Sequence, residues 1–270
     1  RLVADIKYRS HTPHINQSAK ERNDYDQLTG RPESTDPVFG SSLTKPVLNL
    51  ILRGHMRNSF ESDRMRNLID ELNQLFDLNI YVHTWDRRSA SASWRNEDII
   101  RSLDNKAMSL PHVCNYVRKS EHKYFQHAPH DPEGSYVGAT KMPRRGWRQY
   151  IYGLHDSAQL VDEHFADAIT VSMRIDFYDS CSFCTQMLPD PDWVHKLASF
   201  DTQKVTLMNR GLGCDNIMIS SGKNLSAFTK NLHDNFDALM SRYGTQHHQE
   251  IIVLEELQKN GMLADLTVEN

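Results

Sequence analysis

Val47-Leu48-Asn49-Leu50-Ile51-Leu52-Arg53-Gly54 is the stretch on which the fold turns. It is an apolar run between Pro46 and a glycine, short enough to be one buried strand, and it opens directly into a polar loop at 53–58. Downstream, Met65, Leu68, Ile69, Leu72, Leu75 and Phe76 recur at helical spacing, with Ser59 as the candidate cap. The β-rich run Leu78-Asn79-Ile80-Tyr81-Val82-His83-Thr84-Trp85 follows and ends in Asp86-Arg87-Arg88-Ser89. Strand, helix, strand predicts a right-handed βαβ unit with parallel strands. Ligand crevices of such sheets lie outside the carboxyl ends of the strands, here the loops at 53–58 and 85–95.

Working outward, the pattern predicts a strand over 112–117, a long irregular stretch over 127–147 and a helix over 147–165 carrying Ile151, Leu154, Leu160, Val161 and Phe165. A strand over 168–173 follows and ends in Arg174-Ile175-Asp176-Phe177-Tyr178-Asp179. A short helix over 193–200, the turn Gly211-Leu212-Gly213 and a strand over 216–220 come next. One helix then carries Leu225, Phe228, Leu232, Phe236 and Leu239, and a last one over 249–259 stops at Asn260-Gly261. The alternation predicts an α/β fold: a single domain over 47–270 with a mostly parallel, Rossmann-like sheet flanked by helices. Residues 1–46, punctuated by Thr12-Pro13, Arg31-Pro32 and Asp36-Pro37, read as an extended N-terminal arm that wraps the domain or joins a homodimer.

Composition narrows the partners. With 31 Lys and Arg against 35 Asp and Glu and a sequence pI near 6.4, no global basic field draws nucleic acid. No apolar run approaches the ~18 to 20 residues of a membrane span, so a soluble protein is expected. Four cysteines in 270 residues are too few for a disulfide scaffold and fit a reducing cytoplasm. Cys181-Ser-Phe-Cys184 has the spacing of half a zinc site that Cys114 and Cys214 could complete, but a second close pair is missing and free thiols are the simpler reading.

A nucleotide diphosphate needs cations, helix-terminal amides or a divalent metal to hold it and to stabilise its departure. Arg53, His55 and Arg57, between a strand and a helix, match that need, although a basic surface loop has the same composition. Asp176 and Asp179 supply hard oxygen ligands at a strand end, where an Arg174–Asp176 pair merely closing the strand is the alternative. The histidines form no HExxH arrangement, and no Gly-x-Ser-x-Gly elbow supports a serine hydrolase. One glycine after Leu52 is too few for the Gly-x-Gly-x-x-Gly of a dinucleotide-dependent oxidoreductase.

Several segments stand in order: Leu50-Ile51-Leu52-Arg53-Gly54-His55-Met56-Arg57, then Ile80-Tyr81-Val82-His83-Thr84-Trp85 with Ser93-Trp94-Arg95, and Gln149-Tyr150-Ile151-Tyr152 leading to the strand at 169–176. Asp215-Asn216-Ile217-Met218-Ile219 and His248-Gln249-Glu250 complete the set. Together they resemble glycosyltransferases of large algal DNA viruses, the chloroviruses, and more distantly those of bacterial surface-polysaccharide clusters. The resemblance implies a GT-A-like fold, UDP-xylose as donor, a fucose-containing glycan of a capsid protein as acceptor, and Mn²⁺ or Mg²⁺. It further implies that Arg53, Gly54 and Arg57 line the nucleotide side, beside the His55 of the same basic loop, with Thr84 and Trp85 near the base or ribose, and that Tyr150 and Tyr152 face the donor sugar. Arg174 stands where the first Asp of the usual metal-binding Asp-x-Asp would be, leaving Asp176 and Asp179 as metal or diphosphate ligands. For an inverting transfer the candidate general base is Asp215, with Glu250 in reserve; each could instead cap a helix or strand end. A non-catalytic carbohydrate-binding module is the rival reading, since it too would use exposed aromatic rings.

Overall fold

The structure, a computed structural model, describes residues 44–55, 63–85, 112–119, 136–137, 142–178, 192–208, 213–243 and 249–264. The chain divides at Lys45/Pro46 into two units, the second of which, Pro46–Asn270, carries the sheet and its helices. The fold is α/β, built on a mixed, mostly parallel six-stranded sheet flanked by helices. Strand β1 (Val47–Gly54) leads through helix α1 (Arg64–Leu75) to β2 (Asp77–Trp85), and β3 is Val113–Lys119. A two-stranded hairpin, β4 (Tyr136–Val137) with β5 (Met142–Pro143), precedes α2 (Arg144–Ala158) and β6 (Ile169–Arg174). Then come β7 (Thr206–Leu207), β8 (Ile217–Ser221), α3 (Gly222–Asp234), α4 (Phe236–Tyr243) and α5 (Gln249–Lys259).

The sheet order is β3-β2-β1-β6-β8-β7. The chain builds outward from β1 to β2 and β3, then returns to place β6 on the other side of β1, parallel to it. The reversal between β1 and β6 is a topological switch point, where the connections leave to opposite sides and open a crevice at the carboxyl ends. β8 runs antiparallel to β6, so the residues that precede it arrive at this same end of the sheet.

Alternation gives the sheet two unlike faces. Leu48, Leu50 and Leu52 of β1, with Leu78, Ile80, Val82, Val171 and Met173, pack on Met65, Leu68, Ile69 and Leu72 of α1 in one apolar core. Each such fully buried aliphatic side chain contributes about 1.5–3 kcal/mol. The opposite face is covered by α2 and α3 and carries polar residues in register. Asn79, Asn49, Thr170 and Ser220 form one row, and His83, Arg53 and Arg174 form another four residues nearer the carboxyl ends. In the first row Asn49 Nδ2 donates to Thr170 Oγ1 at 3.1 Å and to the carbonyl of Phe165 at 2.8 Å, while Asn79 Nδ2 donates to Asn49 Oδ1 at 3.3 Å. A second apolar cluster of Trp147, Ile151, Leu154, Phe228, Leu232, Phe236, Val253 and Leu257 fills the layer formed by α2 to α5.

Where the expectations differ, the reasons are local. The helix expected over 147–165 starts at Arg144 and ends at Ala158, and Asp162 caps a separate 3-10 turn, Glu163–Phe165, by accepting from His164 N at 2.9 Å. The single helix expected through Leu225 and Leu239 is two, parted at Asn235, whose side chain bonds back to the Asn231 carbonyl at 3.0 Å. Residues 192–200 form turns and one 3-10 turn, Leu197–Ser199, rather than a helix. Cys114 on β3 and Cys214 before β8 are separated by four strand spacings, on the order of 20 Å, so they cannot share one zinc ion. Cys181, Cys184 and Ser59 lie outside the described residues, as does the N-terminal arm apart from residues 44–46.

Candidate functional site

At the switch point Arg53 and Arg174 are register partners on adjacent parallel strands, so two guanidinium groups rise side by side from the same face. Like charges at that spacing need anionic or carbonyl partners, and the site supplies them. Arg174 grips Asp176 with both forks, Nε to Oδ1 at 2.9 Å and Nη2 to Oδ2 at 3.0 Å. Its Nη1 reaches Asn216 Oδ1 at 3.5 Å. Asp176 is 2% exposed, whereas the Arg174 side chain keeps 29% of its surface. Arg53, 3% exposed, donates from Nε to Ser172 Oγ at 3.0 Å and from Nη2 to the carbonyl oxygen of Asp215.

Asp215 is carried in by the turn before β8. Gly213 has φ +77°, a left-handed conformation that favours glycine, and its N–H donates to Glu250 Oε2 at 2.7 Å. The Asp215 side chain is buried: Oδ2 accepts a hydrogen bond from the Tyr150 hydroxyl, while no described group bonds Oδ1. The Tyr150 ring stacks on Trp147 with centroids 4.5 Å apart and lies beneath the Arg53 guanidinium, 5.9 Å from its centroid. Burial, then the charge of Asp215, raises the Tyr150 phenol well above its ordinary value. Burial, then the same charge, pushes Glu250 up to about 7 against the lowering pull of the Gly213 N–H and Arg174. Burial raises the Cys214 thiol, whose Sγ donates to the Glu250 carbonyl at 3.0 Å, so the thiolate is disfavoured.

Six of the residues singled out from the sequence, Arg53, Tyr150, Arg174, Asp176, Asp215 and Glu250, are thus linked in one cluster by direct contacts or through the Gly213 to Asn216 turn. Gly54, φ +107°, ends β1 beside it with His55 following. Tyr152 is not in the cluster. Two residues along the helix from Tyr150, it turns away to pack on Trp85 at 6.1 Å and His233 at 6.0 Å. Trp85 is 7% exposed, edge-on to His83, and presents no open platform for a base. Thr84 alternates onto the α1 face, buried, with no described partner for its hydroxyl. Arg57 and Asp179 lie outside the described residues.

Two participants went unnoticed in the sequence. Ser172 sits one strand row below the arginines and receives Arg53. His83 is fully buried beside Arg53 in register, its Nε2 2.9 Å from Asp156 Oδ2. Strand alternation from Arg53 and the parallel pairing together identify both positions.

Among the described residues the donor set does not fit a divalent cation. Asp176 engages both oxygens with Arg174, and among the described residues no three His, Cys, Asp or Glu side chains group as metal ligands. The positive charge available here is that of the guanidinium groups. No helix among the described residues is long and apolar enough to cross a membrane.

No protein-family model matches this chain, and no curated protein matches it. Among solved structures it is similar to the apo form of the glycosyltransferase GlyE of Streptococcus pneumoniae TIGR4, at 10% identity and a TM-score of 0.38. The alignment takes in 82% of this chain and 45% of that one, so this chain spans less than half the length of its neighbour.

Proposed function

We propose that the chain is a nucleotide-sugar-dependent glycosyltransferase of GT-A-like architecture, with Arg174 on the departing diphosphate and Asp215 as general base. One observation carries the reading: a partly exposed guanidinium and a buried carboxylate with one oxygen unengaged by any described group meet at the carboxyl-end switch point of an α/β sheet. In a single displacement the acceptor hydroxyl oxygen attacks the anomeric carbon, and its proton passes to Asp215 Oδ1. The bond from that carbon to the diphosphate oxygen breaks, the electron pair leaves with the diphosphate, and Arg174 stabilises the new charge. The anomeric centre inverts. Arg53, too buried to meet solvent freely, holds the Asp215 backbone against β1. UDP-xylose as donor and a fucose-containing capsid glycan as acceptor are proposed from the sequence resemblance alone. Asp176 is taken by Arg174, and this reading therefore routes no step through a divalent cation.

The experiment is UDP release from a panel of UDP-sugars, with and without a fucoside acceptor, in Mn²⁺ and in EDTA. Selective turnover of UDP-xylose that rises with the fucoside and persists in EDTA is expected. Silence with every donor, joined by no thermal shift with UDP but a shift with free glycans, rejects the reading in favour of a carbohydrate-binding module.

A further inference from the structure

The site contains a hydrogen bond that substrate binding alone does not require. Tyr150, on a helix that crosses from the strand ends to β2, gives its hydroxyl proton to Asp215 Oδ2, while Oδ1 of that buried carboxylate stays without a partner among the described groups. The ring is itself held by two neighbours, Trp147 stacked at 13° and the Arg53 guanidinium. Arg53 in turn holds the main-chain carbonyl of the same aspartate.

We propose that Tyr150 is a positioning residue, which with Arg53 locks Asp215 so that Oδ1 faces the acceptor hydroxyl. The assignment rests on the reading of Asp215 as the base. A carboxylate rotates about its Cβ–Cγ bond unless one oxygen is anchored, and proton abstraction requires the accepting oxygen within hydrogen-bond reach of the attacking hydroxyl. Engaging Oδ2 removes that freedom and leaves one acceptor, Oδ1, in an environment where a buried polar atom favours a partner. The sugar hydroxyl is the partner of the right chemistry: a neutral donor that surrenders its proton along the bond. Tyr150 itself stays a phenol, because its ionisation is opposed by burial and by the Asp215 charge. It therefore acts through Asp215 and not as a second base. This role differs from the donor-sugar contact that the sequence resemblance implies for Tyr150.

The test is a double-mutant cycle of Tyr150→Phe and Asp215→Asn, read in kcat, donor KM and urea unfolding. Phenylalanine keeps the ring on Trp147 and under Arg53 and removes only the hydroxyl. A Tyr150→Phe loss in kcat of about ten- to a hundredfold is expected with donor KM unchanged, and no further loss when Phe is added to Asp215→Asn, as for groups that act as a unit. Losses that multiply in the double variant, or a Tyr150→Phe effect confined to donor KM, overturn the positioning role and return Tyr150 to donor binding while the transferase reading stands. A wild-type chain without turnover of any nucleotide-sugar rejects the transferase reading and this assignment with it. Should Tyr150→Phe unfold in urea like wild type yet turn over like wild type, the hydrogen bond is idle and the proposal falls alone.

Discussion

Arg174 closes on Asp176, two residues along its own chain, with a bidentate fork in which Nε and Nη2 each meet one carboxylate oxygen at 2.9 and 3.0 Å. The pair is lopsided, with the carboxylate buried and the guanidinium partly open to solvent. Removing the arginine therefore has two separable consequences. Arg174→Ala removes the bidentate counter-charge of a buried carboxylate and is expected to destabilise the fold by about 3 kcal/mol, the low end for a buried pair because the guanidinium is partly exposed. It should also lower kcat about 10²- to 10³-fold through loss of a donor on the departing diphosphate. Arg174→Lys keeps the charge without the planar fork and should recover only part of either. In Arg174→Met with Asp176→Asn the stranded charge is gone, so urea unfolding should return towards wild type while turnover stays low. Recovery of turnover in that double variant would remove Arg174 from the chemistry.

Glu250 ties stability to pH. Its carboxyl is raised from 4.5 to about 7 in the fold, first by burial and then by Asp215, so the folded state binds a proton more tightly than the unfolded chain does. The slope of unfolding free energy with pH follows protons bound unfolded minus protons bound folded, which is negative here. The contribution is fully present below about pH 4.5 and is lost as pH rises through about 7. Glu250→Gln retains an acceptor for the Gly213 N–H and cannot ionise. Urea midpoints measured between pH 5 and 8 should fall with pH in wild type and lie flatter in the variant; parallel curves would show that Glu250 contributes nothing to the slope.

Asn49 sits where a strand pattern invites an aliphatic residue, fully buried in the middle of β1. It satisfies the Phe165 carbonyl and the Thr170 hydroxyl and accepts from Asn79, joining β1, β2 and β6 at the end of the sheet away from the site. Asn49→Leu removes the donor to the Phe165 carbonyl and two side-chain bonds, while Thr170 Oγ1 keeps its bond to the Ala168 carbonyl, and is expected to cost about 1–3 kcal/mol in urea unfolding. Because the row lies four residues below Arg53, donor KM should not move. A variant as stable as wild type would mean that the Phe165 carbonyl finds another donor.

The first βαβ unit was legible because β1 is an apolar run between punctuators and α1 shows a clean helical stripe. The last helix was readable to the residue, Gln249–Lys259, because Asn260-Gly261 ends it. β7 was not readable, since two residues carry no period, and the antiparallel sense of β8 was not either, since a five-residue buried strand reads the same in both directions. That direction decides the site, for it delivers Asp215 to the strand ends. The resemblance implies that Tyr152 shares a site with Tyr150, yet two residues on a helix are turned by about 200° and face apart. Thr84, which the same resemblance implies, is one strand position from His83 and so on the other face.

Gly222 begins α3 at a place where a methyl group has nowhere to go. A Cβ built there would lie 3.0 Å from Val161 Cγ1 and 3.2 Å from both the Ala166 carbonyl oxygen and Thr170 Oγ1. None of the three yields easily. The Ala166 carbonyl already accepts from Lys223 N at 2.8 Å, and Thr170 Oγ1 belongs to the polar row through Asn49. The helix start is pinned as well, since Ser221 Oγ accepts from Asn224 N at 3.2 Å. Alanine gains up to about 1 kcal/mol of helix propensity over glycine in a helix interior and less in a first turn, whereas overpacking costs about 1–3 kcal/mol. Gly222→Ala is therefore expected to be net destabilising, with a lowered urea midpoint and an unchanged dependence on denaturant. Combined with Asn49→Leu the costs should not add, because both disturb Thr170. A raised midpoint for Gly222→Ala would show that the segment at 161–166 moves aside, and that the close approach of α3 to β6 is a consequence of the small residue and not a requirement of the fold.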